Sequence, residues 1–409
     1  MANTLLTRLE ITRKAIRLFT NSNAFMKSLP RQYDPQFAVT GAKIGATLRV
    51  RLPNDYVVTD GPGLSLQDTA EQQTTLTVAT QRHVDTGFST AEMALSLDDY
   101  AERITAPKMN NLGGNVAKTI MLGIAEAAAN ANANFDAGGN ILSPNSNTFV
   151  TAGAQLDDNS APMMGTMGDR KIVNDPWTDA RTSTSLAGLF NPVARISEQY
   201  EYGSVKQALG FSWMRDQTVI KHTSGTFTAG TVNGGGQSGN TLVTNAITGT
   251  LNQGDIITIA GVIAVNRVTK QSTGMSRQFV VTSNVLTAAT SIPIYPAIVA
   301  QGAGGSDQQY QTVVSAPADG AAISLYTKPS VTYRKSLAYA PEALTMVTAD
   351  LYMPTKGVID SARAQFDGVS MRSISAYLPG SDQAINRDDV LFGFLMIRGE
   401  WAVGLYDVI

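Results

Sequence analysis

The chain contains no cysteine in its 409 residues. That removes disulfide frameworks, thiolate zinc sites, iron–sulfur clusters and cysteine nucleophiles together. Histidine is nearly as scarce. His83 and His222 are the only two, too few for a three-histidine metal site and in no H-E-x-x-H spacing. Charged residues make up 16% of the chain, against a typical share of about 25%, so Thr, Ser, Asn, Gln and Gly must supply much of the surface polarity. Formal net charge is −2, whereas a dedicated nucleic-acid binder is strongly basic. No apolar run approaches the roughly 18 residues of a membrane span, the longest being the strand-sized Val390 to Ile397. The first ten residues lack an uninterrupted apolar core, so no signal peptide is expected, and no N-x-S/T sequon occurs. The default expectation is the cytoplasm of the cell that makes the chain.

Apolar residues make up 43%, so the chain is globular and long enough for two or three domains. Residues 1–31 carry six basic side chains and one acid, with Ile11, Ala15, Leu18 and Phe19 at helical spacing. Such a helix packs on its own domain or a neighbour, or presents a basic arm to nucleic acid or an acidic partner. Residues 47–53 and 74–80 both alternate strictly: Leu48, Val50 and Leu52 oppose Arg49 and Arg51, and Leu76 and Val78 mark the second arm. The polar stretch between them, with Gly61-Pro62-Gly63, predicts a long hairpin. Because an isolated ribbon is marginal in water, it needs a surface to lie on, in this chain or a neighbour.

Residues 96–135 read as one long helix. Ser96 and Asp99 are spaced as a capping box, Pro107 follows the candidate cap Thr105, and Gly138-Gly139 stops the Ala-rich end. Residues 140–221 are mixed, with helix possible within Leu186 to Leu209. Residues 222–332 change character: Thr223 to Gly254 holds no charge, and short β-rich runs follow at 255–260, 262–265, 278–282 and 290–295. Turn signals between them predict a small inserted β-barrel or sandwich. Residues 333–409 return to a host-like mixture, ending beside the apolar run 390–397, which reads as a strand covered on both faces.

Catalytic constellations are missing. There is no Gly-Lys pair for a phosphate loop and no G-x-S-x-G elbow. Gly234-Gly-Gly-Gln-Ser-Gly239 matches G-x-G-x-x-G formally, but it opens no apolar helix and reads as a turn. The acidic pairs Asp98-Asp99, Asp157-Asp158 and Asp388-Asp389 suit caps or surface roles, since adjacent carboxylates do not face one another. His83 and His222 read as surface or packing residues. The sequence implies no cofactor, no metal and no enzyme.

Four stretches carry a resemblance: Leu95-Ser-Leu-Asp-Asp-Tyr-Ala-Glu-Arg103; Phe190-Asn-Pro192 with Leu209 through His222; Gly249-Thr-Leu-Asn-Gln-Gly-Asp-Ile-Ile-Thr-Ile-Ala-Gly261; and Arg387-Asp-Asp-Val-Leu-Phe392 with Ile397-Arg-Gly-Glu-Trp-Ala-Val-Gly404. In this order, over nearly the whole chain, they resemble the major capsid (coat) proteins of tailed bacteriophages. These have the Hong Kong-ninety-seven-type α+β fold, here with the insertion domain of P22-type podophage coat proteins. The resemblance implies an N-arm at 1–45, an E-loop hairpin at 46–90 lying over the adjacent subunit, and a peripheral domain with a spine helix at 91–135. It further implies an axial domain beginning at 136–221, an inserted β-barrel at 222–332, and a return through axial and peripheral domains at 333–409.

The implied function is structural: self-assembly into pentamers and hexamers of an icosahedral shell around non-specifically held double-stranded DNA. A scaffolding protein and a portal protein are the implied partners, and the implied location is the virion capsid, assembled in the bacterial host cytoplasm. Candidate inter-subunit contacts are Arg13, Lys14, Arg17, Arg49, Arg51, Asp60, Asp68, Glu71 and Arg82. Two departures stand out. The family's long charged loop in the insertion domain is replaced by the uncharged 223–254, which weakens the case for ionic twofold contacts. No lysine lies between Lys43 and Lys108, which removes the lysine–asparagine cross-link of some relatives. A phage tail or decoration protein and a β-rich glycan-binding surface module are the alternative readings.

Overall fold

A computed structural model describes residues 8–33, 47–52, 54–64, 66, 72–89, 104–165, 168–186, 207–302, 308–380 and 383–409. The proposed Ser96–Asp99 capping box, the 95–103 and 190–192 motifs, the Asp98-Asp99 pair and most of the possible 186–209 helix lie outside the described residues. The chain divides into two compact units. Unit one comprises residues 1–50, 73–120 and 344–395; unit two comprises 51–72, 121–343 and 396–409. The architecture is α+β, as expected, with much sheet and few helices.

Unit one is built on a sheet whose order runs Arg31–Tyr33, Leu344–Ala349, Gln383–Met396, Val369–Leu378, Asp360–Phe366. Thr80–Ser89 also pairs with Gln383–Met396, antiparallel, placing His83 opposite Asp389. The apolar run read from the sequence is therefore the interior of a longer strand, buried from Asp388 to Gly393. The N-terminal helix, Arg8–Asn21, lies across Asp360–Phe366 and Val369–Leu378. Its buried face is Thr12, Ala15, Ile16, Phe19 and Thr20, whereas the expected Ile11 and Leu18 sit at its margin. Thr12 can be buried because its hydroxyl donates to the carbonyl of Arg8 at 2.8 Å, satisfying the polar atom within the helix. Gly113 lets another helix come close. A Cβ there would meet Ser22 and the carbonyl oxygen of Phe19.

The predicted hairpin is present: Thr47–Arg51 pairs with Gln73–Thr77, and Leu52 N–H donates to Gln72 O at 2.9 Å. Its base lies on its own chain, with Leu48 packing against a core of Leu76, Val78, Val347, Ala349 and Leu391.

Two adjacent carboxylates organise the charges of unit one. Asp388 takes the buried Lys108 at 2.6 Å. Asp389, fully buried, accepts from Arg372 Nη2 at 2.6 Å, Arg387 Nε at 2.8 Å and Gln81 Nε2 at 3.1 Å. Burial alone would raise its pKa, but the arginine hydrogen bonds prevail and hold it below the ordinary carboxylate value.

The helix Ala106–Ala127 is divided between the units after Ile120, and it buries Met109, Leu112, Val116, Ile120 and Ile124 at steps of three and four. It ends earlier than expected. Asn130–Phe135, read from composition as helix, is a strand parallel to Ala402–Val408. Asn-Ala-Asn-Ala-Asn has the period of a strand, and its asparagines reach backbone carbonyls: Asn130 donates to Glu400 O and Asn132 to Thr148 O, each at 2.9 Å. Tertiary pairing overrides the helix propensity of alanine here.

Unit two centres on a sheet of order Gln207–Ala208, Phe211–Arg215, Lys171–Asn174, Thr332–Tyr339, Ala402–Val408, Asn130–Phe135, Ile141–Leu142, with Ile220–Thr223 also on Thr332–Tyr339. The helix Ser146–Asp158, opened by an Asn145–Thr148 capping box, packs Phe149, Ala152 and Leu156 onto Ile172, Phe211, Trp213, Val403 and Leu405.

A second, five-stranded sheet runs Gly239–Val243, Ser291–Ile298, Ser272–Val281, Ile256–Val265, Ile323–Leu325 around its own apolar core. The two runs expected at 255–260 and 262–265 are one strand with an irregular register around Gly261, which has φ +78°. Ile256 and Val280 of this sheet join Ala131, Tyr333 and Tyr406 of the central one in a shared cluster.

Two stability measurements follow. Asp389→Asn leaves Arg372 and Arg387 without their carboxylate, and breaking a buried pair costs about 3–5 kcal/mol. Denaturant unfolding is expected to show that loss, against little change for Arg387→Met, whose side chain is more than a third exposed. Asp179 is buried, its Oδ2 has no partner, and burial pushes its pKa up to about 6 against the opposing charge of Arg215. A raised carboxylate pKa contributes stability present at low pH and lost as pH rises through about 6. Asp179→Asn is therefore expected to raise the unfolding midpoint at pH 7.5 by about 3–6 °C, with the gain vanishing near pH 4.

Candidate assembly surfaces

The basic face of the N-terminal helix is exposed at Arg13, Lys14 and Arg17, opposite the buried stripe. Arg17 is committed in part, its guanidinium 5.5 Å from the Phe366 ring centroid. On the hairpin, Arg49 and Arg51 share the exposed face, because alternation puts Leu48 and Val50 on the other. Asp60 is exposed in the loop, and Arg82 is exposed on Thr80–Ser89, opposite Val390. Asp68 and Glu71 lie outside the described residues. The structure thus places Arg49, Arg51 and Asp60 on one hairpin and Arg82 on a different ladder.

Several exposed apolar side chains were not anticipated. In the hairpin loop, Val58 is 90% exposed, Leu64 88% and Leu66 86%. In sequence this is a polar stretch, and the signal it offers is isolated apolar residues flanking a Gly-Pro-Gly turn. Trp177, at the start of the helix Pro176–Leu186, is 65% exposed. Apolar groups left in water in this way are the kind that protein–protein contacts cover.

Neither histidine forms a catalytic arrangement. His83 is exposed beside Asp85, with 3.1 Å between Nδ1 and the carboxylate. His222 is buried, with Nε2 2.9 Å from Asp255 Oδ1. Burial lowers its pKa, the Asp255 hydrogen bond opposes this, and the nearby Lys335 adds to the lowering. Asp255 Oδ2 also accepts from the backbone N–H of Gly225 at 3.0 Å and of Asn252 at 2.7 Å. Lys335, wholly buried, donates to Gly254 O at 2.8 Å, and burial brings its pKa down to about 8 despite Asp255 and Glu126. These groups stitch one turn to the central sheet. Among the described residues there is no cluster of three or more His, Asp or Glu side chains suited to a metal ion, and no helix is long and apolar enough to cross a membrane.

The described residues combine a hairpin, exposed apolar side chains and charges buried in ion pairs, features of the kind that protein–protein contacts use. A family model described as "P22 coat protein - gene protein 5" matches residues 42–406, nearly the whole chain, and the chain belongs to that family. It is accordingly a bacteriophage major capsid (coat) protein, structural and not enzymatic, whose copies associate into the shell of the virion.

Among solved structures, the chain is similar to one from Mycobacterium phage Che8, with 9% identity, a TM-score of 0.46, and coverage of 94% of this chain and 90% of that one. It is similar also to the capsid of cyanophage P-SCSP1u, with 12% identity, TM-score 0.43 and coverage of 94% and 88%. A third is the mature capsid of bacteriophage PhiM1, with 12% identity, TM-score 0.40 and coverage of 90% and 83%. A search of curated proteins found no significant match.

The Arg17–Phe366 contact gives one exposed arginine of this helix a packing role. Arg17→Ala is expected to cost about 0.5–1 kcal/mol of folding stability. Lys14→Ala is expected to cost less than about 0.5 kcal/mol, both read by chemical denaturation of the unassembled chain.

Proposed function

We propose that this coat protein builds the pentamers and hexamers of an icosahedral shell of the Hong Kong-ninety-seven type. Its hairpin is the inter-subunit tie. The observation that carries this reading is the loop of that hairpin, where Val58, Leu64 and Leu66 stand in water on a ribbon whose base is anchored in its own core. Roughly 25 cal/mol is gained per Å2 of apolar surface buried, so side chains held this far out are stabilising only once a neighbour covers them. Arg49, Arg51 and Asp60 on the same hairpin, and Arg82 beside it in sequence, would set register and orientation more than affinity.

In this reading residues 1–45 are the N-arm, 46–90 the E-loop region, 91–135 the peripheral domain with its spine helix, and 136–221 with part of 333–409 the axial domain. Residues 222–332 are the inserted β-domain on the outer face. Its five-stranded sheet and separate core support that assignment. The uncharged stretch 223–254 supports apolar or hydrogen-bonded rather than ionic contacts there. A scaffolding protein, a portal protein and double-stranded DNA are the partners, and assembly takes place in the bacterial host cytoplasm. The near-neutral chain suits an inner face along which DNA slides during packaging, since tight phosphate binding by every subunit would hold it back.

The test is electron microscopy of the chain expressed in bacteria, alone and with a candidate scaffolding protein. Closed shells, or tubes and spirals without scaffold, are expected. A well-behaved monomer under all conditions would overturn the reading. Leu64→Asp with Leu66→Asp is expected to abolish shells while leaving the unfolding midpoint of the unassembled chain within about 2 °C of wild type.

A further inference from the structure

Within unit two, the hairpin loop is held at its base and exposed at its tip. Asn54 and Asp55 are half-buried, whereas Val58 through Leu64 stand in water. The contacts on the base come from two short segments beside the five-stranded sheet. Arg267 lies in the turn between Ile256–Val265 and Ser272–Val281, and its Nε donates to Asp55 Oδ2 at 2.5 Å. Gln309, in the one-turn helix Gln308–Tyr310, donates from Nε2 to the backbone carbonyl of Asp55. The Tyr310 hydroxyl donates to Asn54 Oδ1 at 3.5 Å.

Both segments are themselves fixed. Lys270 Nζ donates to Gln309 O at 2.7 Å, which joins one to the other. Asn266 Oδ1 accepts from the backbone N–H groups of Val268 at 3.0 Å and Thr269 at 3.1 Å, so the turn that carries Arg267 is closed on itself. Arg267 is also held from behind: its Nη1 donates to Glu400 at 3.3 Å, and Glu400 accepts from Arg277 Nη2 at 2.9 Å. Asp55 and Arg267 share the wall of a polar cavity of about 140 Å3 with Arg277, Arg398 and Glu400. The Arg267 and Asp55 side chains are only 20% and 19% exposed, so this pair is less screened than a surface ion pair. A charge-assisted hydrogen bond is roughly twice as strong as a neutral one.

We propose that Arg267 and Gln309 are positioning residues for assembly: they hold the base of the hairpin loop so that its apolar tip is presented, already ordered, to a second copy of this chain. This rests on the reading of the hairpin as the inter-subunit tie. A loop ordered before contact loses less conformational entropy when a partner covers it, and affinity rises without any new contact at the interface. Asp55 lies close before Val58 in the chain, so fixing Asp55 limits the directions open to the tip. The Arg267–Asp55 contact spans 212 positions of sequence, and it gives the five-stranded sheet a task inside its own subunit.

The experiment takes two readouts from the purified full-length chain, comparing wild type with Asp55→Ala and Gln309→Ala. Asp55→Ala is the main variant, because Arg267 keeps Glu400 and no bare charge is left behind. The first readout is amide hydrogen exchange of the unassembled chain by mass spectrometry. Exchange across residues 54–64 is expected to rise on the order of tenfold, with residues 256–281 changed by less than about twofold. The second is the rate of shell formation by light scattering, under the conditions that assemble wild type. That rate is expected to fall roughly threefold to tenfold, while the unfolding midpoint stays within about 2 °C of wild type. Gln309→Ala is expected to act in the same direction, and it decides alone if Asp55→Ala does not fold. Unchanged exchange at 54–64 would overturn the proposal. Faster exchange with shells forming at the wild-type rate, or above it, would overturn it and leave the hairpin reading intact. Shells that persist in Leu64→Asp with Leu66→Asp would overturn the hairpin reading, and this proposal with it.

Discussion

The central ladder of unit two is the constraint on which the rest of that unit depends. Thr332–Tyr339 and Ala402–Val408 pair over seven residues, from Tyr333 opposite Val408 to Tyr339 opposite Ala402. Both are buried almost throughout. Everything else in the unit is referred to this pair: Lys171–Asn174 and Ile220–Thr223 on one strand, Asn130–Phe135 on the other, and the Phe149 helix on the outside. Ala402–Val408 joins this sheet by pairing with Thr332–Tyr339 and with Asn130–Phe135, the latter some 270 residues away in sequence. Non-local pairing of this kind is slow to form, because loop closure is paid for before the contacts repay it.

The second organising feature is how a lightly charged chain uses its charges. Lys108, Arg372 and Asp407 are drawn inward and paired with opposite charges, and Lys335 is drawn inward onto the carbonyl of Gly254. Asp407 accepts from Thr178 Oγ1 at 2.8 Å and from Arg181 Nη1 at 3.1 Å. Buried pairs add little net stability over an apolar replacement, but a wrong register would leave one partner bare at a cost of several kcal/mol. They therefore act against misfolded alternatives more than they deepen the native state. The surface still carries charges, Arg13, Lys14, Arg49, Arg51, Asp60 and Arg82 among them, set between Thr, Ser, Asn and exposed apolar side chains.

The sequence carried some elements clearly and misplaced others for identifiable reasons. The hairpin arms were legible because Leu48-Arg49-Val50-Arg51 alternates without exception. The helix around Leu112, Val116 and Ile120 was legible because its stripe is unbroken. Asn130–Phe135 was misread because alanine favours helix in isolation and the strand it pairs with, Ala402–Val408, is some 270 residues away in the chain. Asp388-Asp389 looked like surface decoration. Only the ladder with Val369–Leu378 and Thr80–Ser89 brings Arg372 and Gln81 to Asp389. Of the candidate contact residues, the exposure of Arg49 and Arg51 followed from alternation, while the apolar loop residues Val58, Leu64 and Leu66 did not, since a hydrophobic residue in a polar loop is ordinarily folded under it.

By itself the sequence determined the class of protein. It has no cysteine, two unhelpful histidines and no catalytic spacing, and it carries ordered motifs of a coat-protein family along nearly its whole length. The first three are properties of composition and spacing; the class itself came from the resemblance of those motifs to the family. Tertiary structure alone decided which charges are buried, where the helix after Pro107 stops, and that Arg267, Arg277 and Arg398 meet around one cavity. Most of these depend on residues from separate elements being brought together, Lys108 with Asp388 and Arg277 with Glu400 among them, and local sequence carries no record of that.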